Sequence, residues 1–159
     1  MPGKVSAGIL LFRRTRQELE VLLVHPGGPF FKLKDEGAWT IPKGEALPEE
    51  ELLERARLEF AEELGVSVDG SFLELGSIQQ KGGKVVHAWA VEGDFTGEPR
   101  SNTFELEWPP RSGRLQSFPE IDRAEFFNVE AARAKINAAQ CLLLDRLIQS
   151  LPNQRFLRG

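Results

Sequence analysis

The stretch from Gly44 to Val66, GEALPEEELLERARLEFAEELGV, leaves this chain the fewest folding options. Leu53, Ala56, Phe60 and Leu64 recur at spacings of three and four, the pattern of a helix with one apolar stripe to bury. At about 100° per residue, Glu59, Glu62 and Glu63 fall within one narrow arc away from that stripe. Pro48 suits a first helical turn and sets the expected start, with Glu49, Glu50 and Glu51 near the positive end of the dipole. Gly65 supplies the left-handed residue that commonly ends a helix. The segment therefore reads as a loop, a helix with one core face and one acidic face, and a second loop. Like charges at these spacings cost a helix ~0.2–0.5 kcal/mol per pair, so the acidic triplet is a poor choice for stability alone. A hard divalent cation removes that repulsion, because Mg²⁺ favours carboxylate oxygens and keeps positions open for water and phosphate.

The flanks read as mixed α and β. Val5 to Phe12 and Glu18 to Val24 are apolar-rich strands, and His25 to Gly37 is a loop punctuated by Pro26-Gly27-Gly28-Pro29. Ser71 to Gln80 and Lys84 to Val91 are β-like runs joined by Lys81-Gly82-Gly83, a hairpin signal. In the second run Val86, Ala88 and Ala90 alternate with Val85, His87 and Trp89, so a histidine and an indole share one face. A further strand is expected over Thr103 to Trp108, stopped by Pro109-Pro110, and Arg111 to Pro119 reads as a polar loop. Val129 to Leu151 is expected as one C-terminal helix with Leu143, Leu144, Leu147 and Leu151 as its apolar face.

Gly44, Glu50, Glu59, Phe60, Glu62, Glu63, Gly65 and Val66 stand at the specified positions of the pattern G-x5-E-x7-R-E-U-x-E-E-x-G-U, U being a bulky apolar residue. On those residues the segment resembles the Nudix box of the Nudix hydrolases. Trp39-Thr40-Ile41-Pro42-Lys43-Gly44-Glu45 is similar to the W-x-x-P-K-G-E lead-in of many members. The resemblance implies one domain over residues 1–159, with the box at 44–66. The implied α+β fold is a Nudix-type α/β/α sandwich around a mixed sheet. It also implies a MutT-like enzyme that hydrolyses a phosphoanhydride in a nucleoside diphosphate-linked substrate. The branch it resembles acts on NTPs or dinucleoside polyphosphates, near bacterial proteins described only as NTP pyrophosphohydrolases.

Position by position, the resemblance makes Glu59, Glu62 and Glu63 metal ligands, with the Gly44 carbonyl a further one, and Mg²⁺ or Mn²⁺ the cofactor. One of the three glutamates, or a carboxylate outside the box, takes the proton of the attacking water. Glu120 occupies the kind of late loop where members place an extra catalytic carboxylate. Glu50 matches the first glutamate, a structural or outer position. Lys43 is either a phosphate partner or a solvated lysine, and Trp39 either covers a base or packs beneath the loop. His87 reads as a strand histidine outside the site, and Glu105 and Glu107 as exposed by default. The one departure is Leu58, where the family carries an arginine that orients neighbouring glutamates. Leu58 is expected on an exposed flank, and Arg55, one turn before Glu59, is the candidate replacement. The same departure keeps a rival open, a Nudix-fold module that binds a nucleotide without turning it over.

Composition narrows the partners. The 159 residues suit one domain with a core of its own, and a net charge of −4 argues against general affinity for nucleic acid or anionic membrane. A phosphorylated small molecule needs only a local basic pocket and a metal. Cys141 is the single cysteine, so no intrachain disulfide forms; its leucine-rich setting points to the core. The start, Met1 to Ser6, lacks an apolar leader core, and no run reaches the ~20 residues of a membrane span. The expectation is a cytoplasmic protein, monomer or homodimer.

Overall fold

The computed structural model describes residues 4–151, so the ends of the 1–159 domain reading lie outside the described residues. The long first strand β1 (Val5–Arg14) is followed by β2 (Leu19–Pro26), the short β3 (Lys43–Glu45) and helix α1 (Leu52–Leu64). Next come β4 (Leu73–Gln79) and β5 (Val85–Glu92), turned by residues Lys81–Gly83 as the hairpin signal requires. Strands β6 (Thr103–Glu107), β7 (Leu115–Pro119) and β8 (Ile121–Asn128) precede helices α2 (Val129–Lys135) and α3 (Cys141–Ser150).

Six strands form a mixed sheet in the order β4-β5-β1-β2-β8, with β3 also paired to β1. β1 runs parallel to β5 along its length, and it divides its other edge between two antiparallel partners. Ser6, Ala7 and Gly8 pair with Glu45, Gly44 and Lys43, whereas Phe12, Arg13 and Arg14 pair with Val21, Glu20 and Leu19. The strand is buried on both faces from Ser6 to Phe12, as a central strand covered by helices must be. One face packs Leu10, Val21, Leu23, Val86 and Ala88 against Leu143, Leu144 and Leu147 of α3. The other packs Ile9, Leu11, Leu22 and Val24 against Ala56, Phe60 and Leu64 of α1, so the helical stripe read from sequence is the buried one. Helices on both faces of a mixed sheet make the expected α/β/α sandwich.

Four expectations need correction. First, α1 begins at Leu52 and not near Pro48. Residues 47–50 close a turn instead, with the Glu50 N–H donating to the Leu47 carbonyl at 3.0 Å and Glu51 extended as the cap. Second, residues 111–119 are not all loop, because Leu115–Pro119 pairs antiparallel with β6 in a separate two-stranded ribbon. Arg111 and Gly113, both at positive φ, turn the ribbon, and the Gly113 N–H donates to Glu107 at 2.8 Å. Third, the C-terminal helix is broken between Lys135 and Cys141. Ile136 is extended and Asn137 non-helical there, Ile136 bridges to Trp39, and the Asn137 N–H donates to the Trp39 carbonyl. Pairing with the strand leading to β3 outweighs helix continuation. Fourth, Cys141 sits at the margin of the core, half-buried, with its thiol 3.7 Å from the Arg133 carbonyl. Among the described residues, no helix is long and apolar enough to cross a membrane.

Candidate functional site

The acidic arc of α1 meets the sheet where β3 crosses beside β1. Gly44 pairs with Ala7 there, and a Cβ at position 44 would collide with the Glu59 carboxylate. The absence of a side chain at Gly44 is what lets a helix carboxylate rest against the β3 backbone. Glu63, one turn on, is 7% exposed, Glu59 is half-buried and Glu62 is open to solvent. Burial, with the charges of Glu59 and Glu120 adding to it, pushes the Glu63 carboxyl up to about 8. Glu59 is raised for the same first reason, burial, opposed by its hydrogen bond from Arg55 and reinforced by the charges of Glu62 and Glu120.

Glu120 is thus near enough for its charge to act on both carboxyls although it lies 57 residues beyond Glu63 in the chain. It occupies the bend between β7 and β8, where its N–H donates to the Asn102 carbonyl and its own carbonyl accepts from the Gly27 N–H, both at 2.9 Å. Lys43 is the nearby cation. Burial lowers its pKa, and the charge of Glu63 works the other way. Sequence-expected residues Lys43, Gly44, Glu59, Glu62, Glu63 and Glu120 are thus gathered around one edge of α1.

Trp39 is not among them. It is 1% exposed, its indole N–H donates to Asp35 at 2.8 Å, and its ring packs edge-on against His25 and Phe127 with the Arg123 guanidinium over it. With every face covered, the indole is a core residue and cannot cover a base. His87 also lies outside the site, 2.7 Å from Glu74 and stacked on Trp89. Glu105 is exposed, and Glu107 is engaged in the ribbon turn.

Arg55 makes the contact proposed for it. Its Nη1 donates to Glu59 Oε2 at 3.0 Å, while Nε and Nη2 both donate to Glu50 Oε2 at 3.0 and 2.6 Å. Glu50 in turn accepts from the Leu47 N–H at 2.8 Å, and these bonds hold its carboxyl below the usual range. Leu58 is 50% exposed and lines a surface groove with Glu54, Arg57 and Ala61, with Glu62 one turn on. Arg57 is committed elsewhere, to the Val68 carbonyl and to Asp69.

Gln140 escaped the sequence reading. It is fully buried, accepts from the Ile41 N–H at 3.0 Å, and donates to Thr40 Oγ1 at 3.0 Å and Gln80 Oε1 at 2.9 Å. It thereby holds the strand that delivers Lys43 and Gly44. A glutamine 99 residues from its partner carries no local signal.

The donor set is chemically suited to a hard divalent ion: carboxylates from one helix face, one of them seated against the Gly44 backbone, in a partly buried position. Among the described residues, no three acidic, histidine or cysteine side chains converge closely enough to cage an ion by themselves. That is compatible with Mg²⁺, which is usually held by one or two carboxylates and completes its shell with water and substrate phosphate.

A mixed sheet between helices, with a glycine-seated acidic helix at its edge, defines the class, and the class agrees with the comparisons. Residues 2–146 match the family model described as NUDIX domain, and the chain belongs to that family. The expected class, a Nudix pyrophosphohydrolase acting on acid anhydrides, is thereby borne out. The fold is shared with an Ap4A hydrolase from C. elegans, solved as a binary complex, at TM-score 0.65 and 18% identity over 91% of this chain and 96% of that one. A MutT protein from Methanosarcina mazei Go1 gives 0.62 and 17%, covering 96% and 97%. The NUDIX domain of Shewanella oneidensis NrtR, solved with ADP ribose, gives 0.61 and 16%, covering 94% and 88%. No curated protein gives a significant match.

Proposed function

We propose that this protein is a Mg²⁺-dependent hydrolase, with Mn²⁺ as an alternative ion, that cleaves a phosphoanhydride bond in a nucleotide-type substrate. The observation that carries the proposal is the Glu59 carboxylate seated against Gly44 with Glu63 one turn on, both carboxyls raised by burial first and further by neighbouring charge, that of Glu120 included. Perturbed carboxyls gathered from separate elements are poor structural design and good site chemistry.

Glu59, Glu62, Glu63 and the Gly44 carbonyl would supply the ligands, shared among one or more ions, since no three of the side chains converge on one point among the described residues. When bound, the ion supplies charge neutralisation at the phosphate oxygens and a more acidic water. Glu120, anchored by its own backbone, or one of the box glutamates accepts the proton of the attacking water. Lys43 faces the same edge and pairs with a phosphate oxygen. The solved relatives were captured as an Ap4A hydrolase and with ADP ribose, and the lead-in to the box favours dinucleoside polyphosphates or NTPs as substrate. The contact from Arg55 to Glu59 speaks for turnover over a binding-only module, since it fills the role that Leu58 leaves open.

The test is a screen of purified protein against NTPs, dinucleoside polyphosphates, ADP-ribose and NADH with Mg²⁺ and Mn²⁺, products identified by mass. Release of a phosphate or nucleoside phosphate is expected from at least one. Calorimetric binding without hydrolysis under either metal would leave the binding module standing instead.

A further inference from the structure

Arg55 bridges two carboxylates that belong to different parts of the motif. Glu50 closes the turn before α1, Glu59 lies on the helix, and one guanidinium donates to both. A planar fork fixes direction as well as charge, which a lysine ammonium cannot do. The bond takes up Oε2 of Glu59 and leaves Oε1 as the carboxylate atom closest to the Gly44 position. Leu58, where the family's arginine would stand, is 50% exposed, one residue before Glu59 and one turn before Glu62.

We infer that Arg55 is the positioning residue of this site: by holding Glu59 Oε2 and Glu50 together, it keeps Glu59 Oε1 turned to Gly44, where that oxygen would be available to a divalent ion, one helical turn from where the family places its arginine. This rests on the metal-dependent reading above. It goes beyond that reading by assigning the aim of Glu59 to a residue outside the motif's specified positions. Arg55 acts through Glu59, to which its Nη1 donates.

Two readings of Arg55 predict opposite signs for a measurement made without substrate. If Arg55 only neutralises Glu59, then Arg55→Ala uncovers negative charge and Mn²⁺ binds more tightly. If Arg55 aims the carboxylate, the same change frees Glu59 to rotate and Mn²⁺ binds more weakly. The experiment titrates Mn²⁺ into the full chain without nucleotide, following free Mn²⁺ by electron paramagnetic resonance, for wild type, Arg55→Ala, Arg55→Lys and Arg55→Ala combined with Leu58→Arg. Kinetics on the best substrate of the screen follow. Expected are a Kd at least ~3-fold weaker in Arg55→Ala, a kcat lowered ~10–100-fold with KM changed less than ~3-fold, and partial recovery of both in the double variant. Arg55→Lys is expected to recover less than the double variant, since a point charge does not reproduce the fork. Tighter or unchanged Mn²⁺ binding in a folded Arg55→Ala protein overturns the inference, and so does a double variant no better than Arg55→Ala. Should Arg55→Ala fail to fold, Arg55→Lys decides, with wild-type Kd and kcat counting against the inference. Failure of the wild type to bind Mn²⁺ or hydrolyse any substrate instead removes the metal-dependent reading, and the inference with it.

Discussion

Glu120 lies between two regions built by opposite means. On one side, α1 is anchored through Ala56, Phe60 and Leu64, and even its carboxylate Glu63 is buried. On the other, the β6–β7 ribbon has no fully buried residue, and it holds Phe104 against Phe118 and Trp108 against Phe30 of the preceding loop. The first region can aim charged groups to a fraction of an ångström, because packing fixes its rotamers. The second offers half-exposed aromatic surface that can adapt. Chemistry needs the former, and recognition of a varied substrate is served by the latter.

The comparison makes predictions of graded size. The largest effects belong to the helix: Glu62→Gln and Glu63→Gln should each lower turnover at least ~100-fold with the fold retained, and excess EDTA should abolish it. Undiminished rates in both variants, or activity surviving EDTA, would remove the metal site from α1. At the junction, Glu120→Gln should lower kcat ~10-fold or more with KM little changed, as for a group acting in the transition state. A wild-type kcat would return Glu120 to the ribbon as an ordinary exposed residue.

On the ribbon the signature should reverse. Trp108→Ala and Phe30→Ala should raise KM ~5-fold or more with kcat nearly constant, since stacking on a base is worth ~1–3 kcal/mol. A fall in kcat with unchanged KM would show that the ribbon shapes the reacting centre and would erase the contrast. A last effect is on stability and not on turnover. Glu63 has its carboxyl raised in the folded state to about 8, so the folded protein holds a proton that the unfolded chain releases above its ordinary carboxylate value. Stability of the metal-free protein should therefore be greatest below that ordinary value and fall as pH rises towards 8, seen as a Tm lower at pH 8.5 than at pH 5. Glu63→Gln, which mimics the protonated form, should flatten that slope. A Tm that rises over this interval, or a slope unchanged in the variant, would refute the buried-proton account.

Legibility in the sequence follows the same division. The helix announced itself because its apolar stripe, its acidic arc and Gly65 all obey local spacing rules, and Arg55 lies within one turn of Glu59. Its start was misplaced because Pro48 suits a turn as well as a helix, and the bond from the Leu47 N–H to the Glu50 side chain decided between them. The β7 strand was missed because Leu115, Gln116 and Ser117 bury nothing; pairing with β6, not a core, makes them extended. Trp39 was ambiguous because an indole next to a box looks the same whether it faces a ligand or a core. The break between α2 and α3 is a tertiary effect imposed by the Trp39 strand, and leucine periodicity on either side conceals it.

The hydrogen bonds from Gln140 to Thr40 and Ile41 have a consequence in time. The strand that carries Lys43 and Gly44 leaves the ribosome early, yet the side chain that secures it follows 99 residues later. At ~5–20 residues per second the interval is on the order of 5–20 s. Over that interval β3 has only its pairing with β1 to hold it, and the strand before it lacks its side-chain brace. In a nascent chain the last brace on the segment leading to Lys43 and Gly44 is therefore added only when the segment around Gln140 docks.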